Sequence, residues 1–156
     1  MMRSVDIAMN ASEKIVSAGS SAATSSDTRA KRRRMTGYIL TGLVSFFLTF
    51  DVVMKVLRLA PAVQGTTELG YPAGTVLWIG VIELVCLVLY LVPRTSVLGA
   101  LMLTGYLGGA IATHVRVGSP LASHTLFPIY VALMVWGGLY LREARLRDLV
   151  PLRRSG

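Results

Sequence analysis

With a single cysteine in 156 residues, Cys86, the chain lacks several kinds of chemistry at once. An intrachain disulfide, a Cys-x-x-Cys redox centre and a thiolate zinc cluster are all excluded. Histidine is nearly as scarce, at two residues, and no glycine-rich phosphate loop is present. Haem, iron–sulfur, flavin and nucleotide binding therefore have no ligand set here, and no metal site is expected. Charge is also sparse: 15% of residues are charged, where soluble domains carry about a quarter. The acidic residues number 8 against 16 Lys and Arg, giving a net charge of +8. That excess does not form a basic face interleaved with aromatics, so no nucleic-acid partner is expected. The basic residues sit beside apolar segments, where they set topology and contact anionic membrane lipid.

What the chain has in abundance is apolar sequence, 53% of residues with a mean hydropathy of +0.60. Four blocks run over about 36–57, 73–92, 96–115 and 123–141. At 1.5 Å per residue, about twenty residues of helix match the roughly 30 Å hydrocarbon layer of a bilayer. The blocks are apolar nearly all round, whereas a soluble bundle shows polar stripes at 3.6-residue spacing. Breakers separate them: Pro61, Gly65, Gly70 and Pro72, then Pro93, then Gly118 and Pro120. The expected fold is all-α, a polytopic membrane protein with a four-transmembrane-helix bundle over residues 35–142. Residues 1–34, polar and rich in Ser, Ala and Thr, are expected to form a disordered cytoplasmic tail. Residues 143–156 are expected to form a basic cytoplasmic tail.

Lys31 to Arg34, Arg94, Arg142, Arg145, Arg147, Arg153 and Arg154 fall on one side of such a bundle. Lys55, Arg58 and Arg116 fall on the other. The positive-inside bias places both termini in the cytoplasm and the protein in the cell (inner) membrane, as a multi-pass chain.

Ionisable residues inside the apolar blocks are the candidate site: Asp51 and Lys55 on the first, Glu83 on the second, His114 near the end of the third. Each costs at least about 2.5–3.5 kcal/mol to insert, so each needs a partner or a purpose. Asp51 and Lys55, four apart, share a helix face with the acid in the favourable N-terminal position. Counting from the non-cytoplasmic helix ends, Lys55 and His114 lie roughly 3 Å deep, Asp51 about 9 Å and Glu83 about 15 Å. The Glu83 face continues inward as Cys86, Leu87 and Tyr90, and the Asp51 face as Leu48, Val44 and Thr41. No ionisable group carries the series to the cytoplasm, so a polar pocket open to the outside fits better than a through-path. Interhelical hydrogen bonding without a ligand is the competing account of the same residues. Gly105-xxx-Gly109, Gly108-xxx-Ala112 and Thr41-xxx-Ser45-xxx-Thr49 suggest close helix packing.

The stretch Thr36–Leu149 resembles the DoxX-like family of small four-helix bacterial membrane proteins. The resemblance rests on Asp51/Lys55, Leu69–Pro72, Trp78-Ile79-Gly80-Val81-Ile82-Glu83, Gly105–Gly109 and Thr113-His114-Val115-Arg116-Val117-Gly118-Ser119-Pro120. It implies a link to quinol oxidase and thiosulfate:quinone oxidoreductase complexes, with the redox centre in a partner. The expected function is an accessory or small-ligand-binding subunit of a membrane redox complex, with no intrinsic cofactor and a quinone as the ligand the resemblance implies. Asp51, Lys55, Glu83 and His114 are then the ligand and proton-exchange candidates. A small proton-coupled transporter working through self-association, and a purely structural subunit, are the alternatives. No nucleophile–base–orienter set is present, so no catalytic residue is assigned and no enzyme acting alone is expected.

Overall fold

The computed structural model describes the backbone of residues 2–120 and 125–149, and the side chains of residues 27–120 and 125–147. The described residues are all-α: α1 (Met2–Val56), α2 (Ala60–Glu68), α3 (Thr75–Leu91), α4 (Ser96–Arg116), α5 (Phe127–Arg142) and α6 (Ala144–Leu149). Helix α1 packs against both α3 and α5, and α4 packs against the same two, so the four longer helices enclose one core. Val44, Leu48, Leu87, Tyr90, Leu103, Val135 and Leu139 fill it. The stretch Asp27–Val56 of α1 and all of α4 are long and apolar enough to cross a membrane. Helices α3 and α5 are apolar but shorter, at 17 and 16 residues. Large apolar side chains also face outward, among them Phe46, Phe50, Trp78, Leu101 and Leu133. So many outward apolar side chains mark contact with something other than water.

Three segments outside the four apolar blocks are also helical. Residues 2–34 continue α1 as backbone helix. They contain no proline and only Gly19 as a glycine, so nothing breaks a helix already nucleated by the apolar block behind them. The connection after the first block, where Pro61 and Gly65 read as breakers, holds α2. Pro61 lies in its first turn, where a missing N–H costs nothing and the fixed φ favours the helix. The basic C-terminal segment begins with α6. Helix α6 folds back so that Leu146 is buried, and Arg147 Nη1 donates to the carbonyls of Tyr140 (3.2 Å) and Leu141 (3.1 Å). The expected start of the fourth block at Ser123 and the tail beyond Leu149 lie outside the described residues.

The α1–α5 crossing uses small residues. A Cβ at Gly138 would stand 2.7 Å from Thr41 Oγ1 and 3.1 Å from the Thr41 nitrogen, so the missing side chain at Gly138 is what lets the two helices approach. Thr41 and Ser45 are buried there, and Thr41 Oγ1 lies 3.3 Å from the Tyr90 hydroxyl of α3. Tyr90 OH donates onward to the Val135 carbonyl of α5 (3.1 Å), so one phenol ties three helices.

Candidate functional site

The site begins with an approach of two helices. Gly80 on α3 faces Lys55 on α1 so closely that a Cβ there would lie 2.7 Å from Lys55 Cβ and 3.2 Å from the Val56 nitrogen. Glu83 follows three residues later, on the same helix face as Gly80. The close approach at Gly80 therefore delivers the Glu83 carboxylate to the Lys55 ammonium.

Lys55 Nζ makes three hydrogen bonds: to Asp51 Oδ2 at 2.5 Å, to Glu83 Oε2 at 2.8 Å and to the Tyr106 hydroxyl at 2.8 Å. Tyr106 OH in turn donates to Glu83 Oε2 at 2.7 Å. Lysine, glutamate and tyrosine thus close a ring joining α1, α3 and α4. The Lys55 ammonium also lies 5.5 Å from the centre of the Tyr106 ring, within cation–π range. Burial grades across the cluster: the side chain of Glu83 is 0% exposed, that of Lys55 16% and that of Asp51 37%. Glu83 Oε1 is buried and has no hydrogen-bond partner.

Beside the cluster lies a cavity of about 470 Å³. Asp51, Lys55, Glu83, Tyr106 and His114 contribute polar wall, while Phe47, Ile79, Ile82, Leu107 and Phe127 contribute apolar wall. A space of this size, mostly apolar with a few convergent polar groups, is the form a small-molecule site takes. The α2 region roofs one side through Thr66, Leu69 and Tyr71. That roof is tied to the end of α4: Tyr71 OH lies 2.9 Å from Thr113 Oγ1, and Arg116 Nη2 donates to the Leu69 carbonyl at 2.7 Å. His114 Nδ1 lies 3.0 Å from Ser119 Oγ. Among the described residues, no group of three or more His, Cys, Asp and Glu side chains is placed to hold a metal ion.

The structure thus joins Asp51, Lys55 and Glu83 in one cluster and puts His114 on the wall of the same cavity. The inward faces also lie where spacing put them: Cys86, Leu87 and Tyr90 below Glu83, and Leu48, Val44 and Thr41 below Asp51, are all buried. Tyr106 was not singled out from the sequence. A depth count would have found it, since nine residues from the end of the third block places it about 14 Å deep, level with Glu83. The glycines around it also do something other than expected. Cβ atoms at Gly105, Gly108 and Gly109 would meet nothing within 4 Å, and Gly105 and Gly109 line the cavity. Small residues here leave room instead of drawing helices together within the chain.

A family model described as the DoxX-like family matches residues 39–138, which hold Asp51, Lys55, Glu83, Tyr106 and His114. No curated protein and no solved structure matches the chain.

Proposed function

The chain belongs to the DoxX-like family of membrane proteins, and from that premise we propose that it is a four-span accessory subunit whose cavity holds a small amphipathic ligand of the quinone type. In this reading α1, α3, α4 and α5 all cross the inner membrane, both termini are cytoplasmic, and the cavity opens in the outer half of the bundle. The Lys31–Arg34 run before the first apolar block, Arg94 between α3 and α4, and Arg142, Arg145 and Arg147 at the end of α5 and beyond support that orientation. Phosphatase fusions should be active at Gly74, in the α2–α3 connection, and inactive at Gly156. Activity at Gly156 refutes the four-span arrangement.

The observation that carries the ligand reading is the apolar cavity of about 470 Å³ lying directly against an ionised cluster. Charged groups within membrane helices are costly, and where they line a cavity they mark function by default. The redox centre, if a quinone is the ligand, belongs to a partner complex, and the residues here position the head group and exchange protons with it. The competing structural reading draws on the full hydrogen bonding of Lys55, which an interhelical tie also requires. Glu83→Gln separates the two. The amide retains an acceptor for Lys55 and Tyr106, so thermal stability in detergent should change little. Glu83 is buried and acts through charge: with it neutral, Lys55 alone neutralises Asp51, and retention of a decyl-substituted benzoquinone/hydroquinone mixture by the nanodisc-embedded protein should fall about tenfold or more. Unchanged retention leaves the cluster as a structural tie.

A further inference from the structure

We infer that the cavity takes a single-tailed membrane lipid whose head donates a hydrogen bond to Asp51 and whose tail lies in the groove between α1 and α5. This rests on the ligand-binding reading above and narrows it to one form of ligand.

The head assignment follows from counting donors and acceptors. A lysine ammonium has three N–H donors and no acceptor, and a tyrosine hydroxyl has one donor. All three Lys55 donors are engaged, by Asp51, Glu83 and Tyr106. The Tyr106 proton is engaged by Glu83. What the cluster has left is acceptor capacity. Glu83 Oε1 is without a partner but sealed from the surface. The Asp51 side chain is 37% exposed on the cavity wall and uses one oxygen for Lys55. Two carboxylates against one ammonium also leave the cluster electron-rich. A carbonyl head therefore meets no donor in the cluster, while a hydroxyl or N–H head meets a charged acceptor.

The tail assignment follows from continuity. An apolar groove of about 360 Å³ runs between α1 and α5 past Leu43, Phe46, Phe50, Tyr130 and Met134. Phe47, Phe127 and Val131 line both the groove and the cavity. The partition is the edge-to-face pair Phe47–Phe127, with ring centres 5.3 Å apart. Both rings are exposed at the surface, so only two side chains without further cover stand between the two spaces. From Phe50 to Leu43 the groove covers about 10 Å of helix, leading away from Asp51 toward the middle of α1. A lipid in the leaflet has that polarity, with its head at the Asp51 end and its chain toward the bilayer centre.

A redox pair isolates the head, because 2-decylhydroquinone and decylbenzoquinone differ chiefly in whether the ring oxygens donate. Full-length protein in nanodiscs should retain 2-decylhydroquinone, over empty nanodiscs, at least tenfold more tightly than decylbenzoquinone. Asp51→Asn, which supplies an amide donor and leaves Lys55 two partners, should bring that ratio close to one. Leu43→Trp or Phe50→Trp, at exposed groove positions, should weaken 2-decylhydroquinone about tenfold and leave tail-less hydroquinone unchanged. Equal or tighter binding of decylbenzoquinone overturns the head assignment while leaving the ligand-binding reading in place. Unchanged 2-decylhydroquinone binding in both tryptophan variants overturns the tail assignment. Absence of binding by any of the three compounds defeats this inference and the ligand-binding reading together.

Discussion

Replacing Lys55 with methionine should destabilise the protein by about 3–5 kcal/mol, the cost of leaving buried charge without its counterion. Lys55 is the shared partner of Asp51 and Glu83, and Glu83 is fully buried. Methionine approximates the length of the lysine stem, so packing against Gly80 survives while neutralisation is lost. The double variant Lys55→Met/Glu83→Gln should recover part of the loss, because the buried charge then disappears with its counterion. Asp51→Asn should cost far less. Without the Asp51 charge, Lys55 keeps Glu83 and Tyr106. Denaturant titration of purified variants in mixed micelles reads all three. A loss below about 1 kcal/mol for Lys55→Met would place it with ordinary interhelical hydrogen bonds and remove the argument for a charge-bearing core.

Gly99→Ala should be about as damaging, by a purely steric route, at about 3 kcal/mol, the upper part of the range for overpacking. Gly99 lies in the first turn of α4, flush against the end of α3. A Cβ there would stand 2.1 Å from the Tyr90 nitrogen and 2.5 Å from the Leu89 carbonyl carbon. Those neighbours are backbone atoms, which cannot rotate away as a side chain can. The turn is also held by Thr95 Oγ1 donating to the Leu89 carbonyl at 2.9 Å, so accommodating a methyl means parting the helices. Tyr90 would then move off Thr41 and the Val135 carbonyl, loosening the cytoplasm-facing half of the proposed bundle. Gly108→Ala on the same helix is the control. Nothing lies within 4 Å of its Cβ position, so that change should be silent in the same titration.

These two glycines show what the sequence could and could not convey. Block length and hydropathy placed α3, α4 and the C-terminal ends of α1 and α5 to within a few residues, because helix-breaking residues bound them, whereas no breaker marks the start of α1 at Met2. The i,i+4 spacing gave the Asp51–Lys55 pair, and the desolvation cost of a mid-helix acid gave the inward face of Glu83. Tyr106 escaped because a tyrosine carries no formal charge, so only its depth, level with Glu83, marks it as a partner. The glycine spacing on α4 pointed to close packing, whereas the tight contacts on α3 and α4 are at Gly80 and Gly99, which belong to no repeated pattern. Whether a glycine meets backbone or empty space depends on the neighbouring helix. No local rule contains that information. The α2 segment was hidden for a similar reason: Pro61 and Gly65 read as breakers, yet a proline in the first helical turn is a start signal.

The short helices have a consequence for the surrounding bilayer. At 1.5 Å per residue, the 17 and 16 residues of α3 and α5 supply about 25 and 24 Å of helix, against a hydrocarbon thickness of about 30 Å. Helix α4, at 21 residues, spans the full thickness, as does the apolar part of α1. In the four-span arrangement proposed above, the protein presents lipid with unequal hydrophobic heights around its perimeter. Acyl chains beside α3 and α5 must shorten or tilt, at a cost of fractions of a kcal/mol per ångström. The leaflet is therefore thinnest beside the helices that carry Glu83 and Phe127, and shorter-chain lipids should gather there in preference to longer ones.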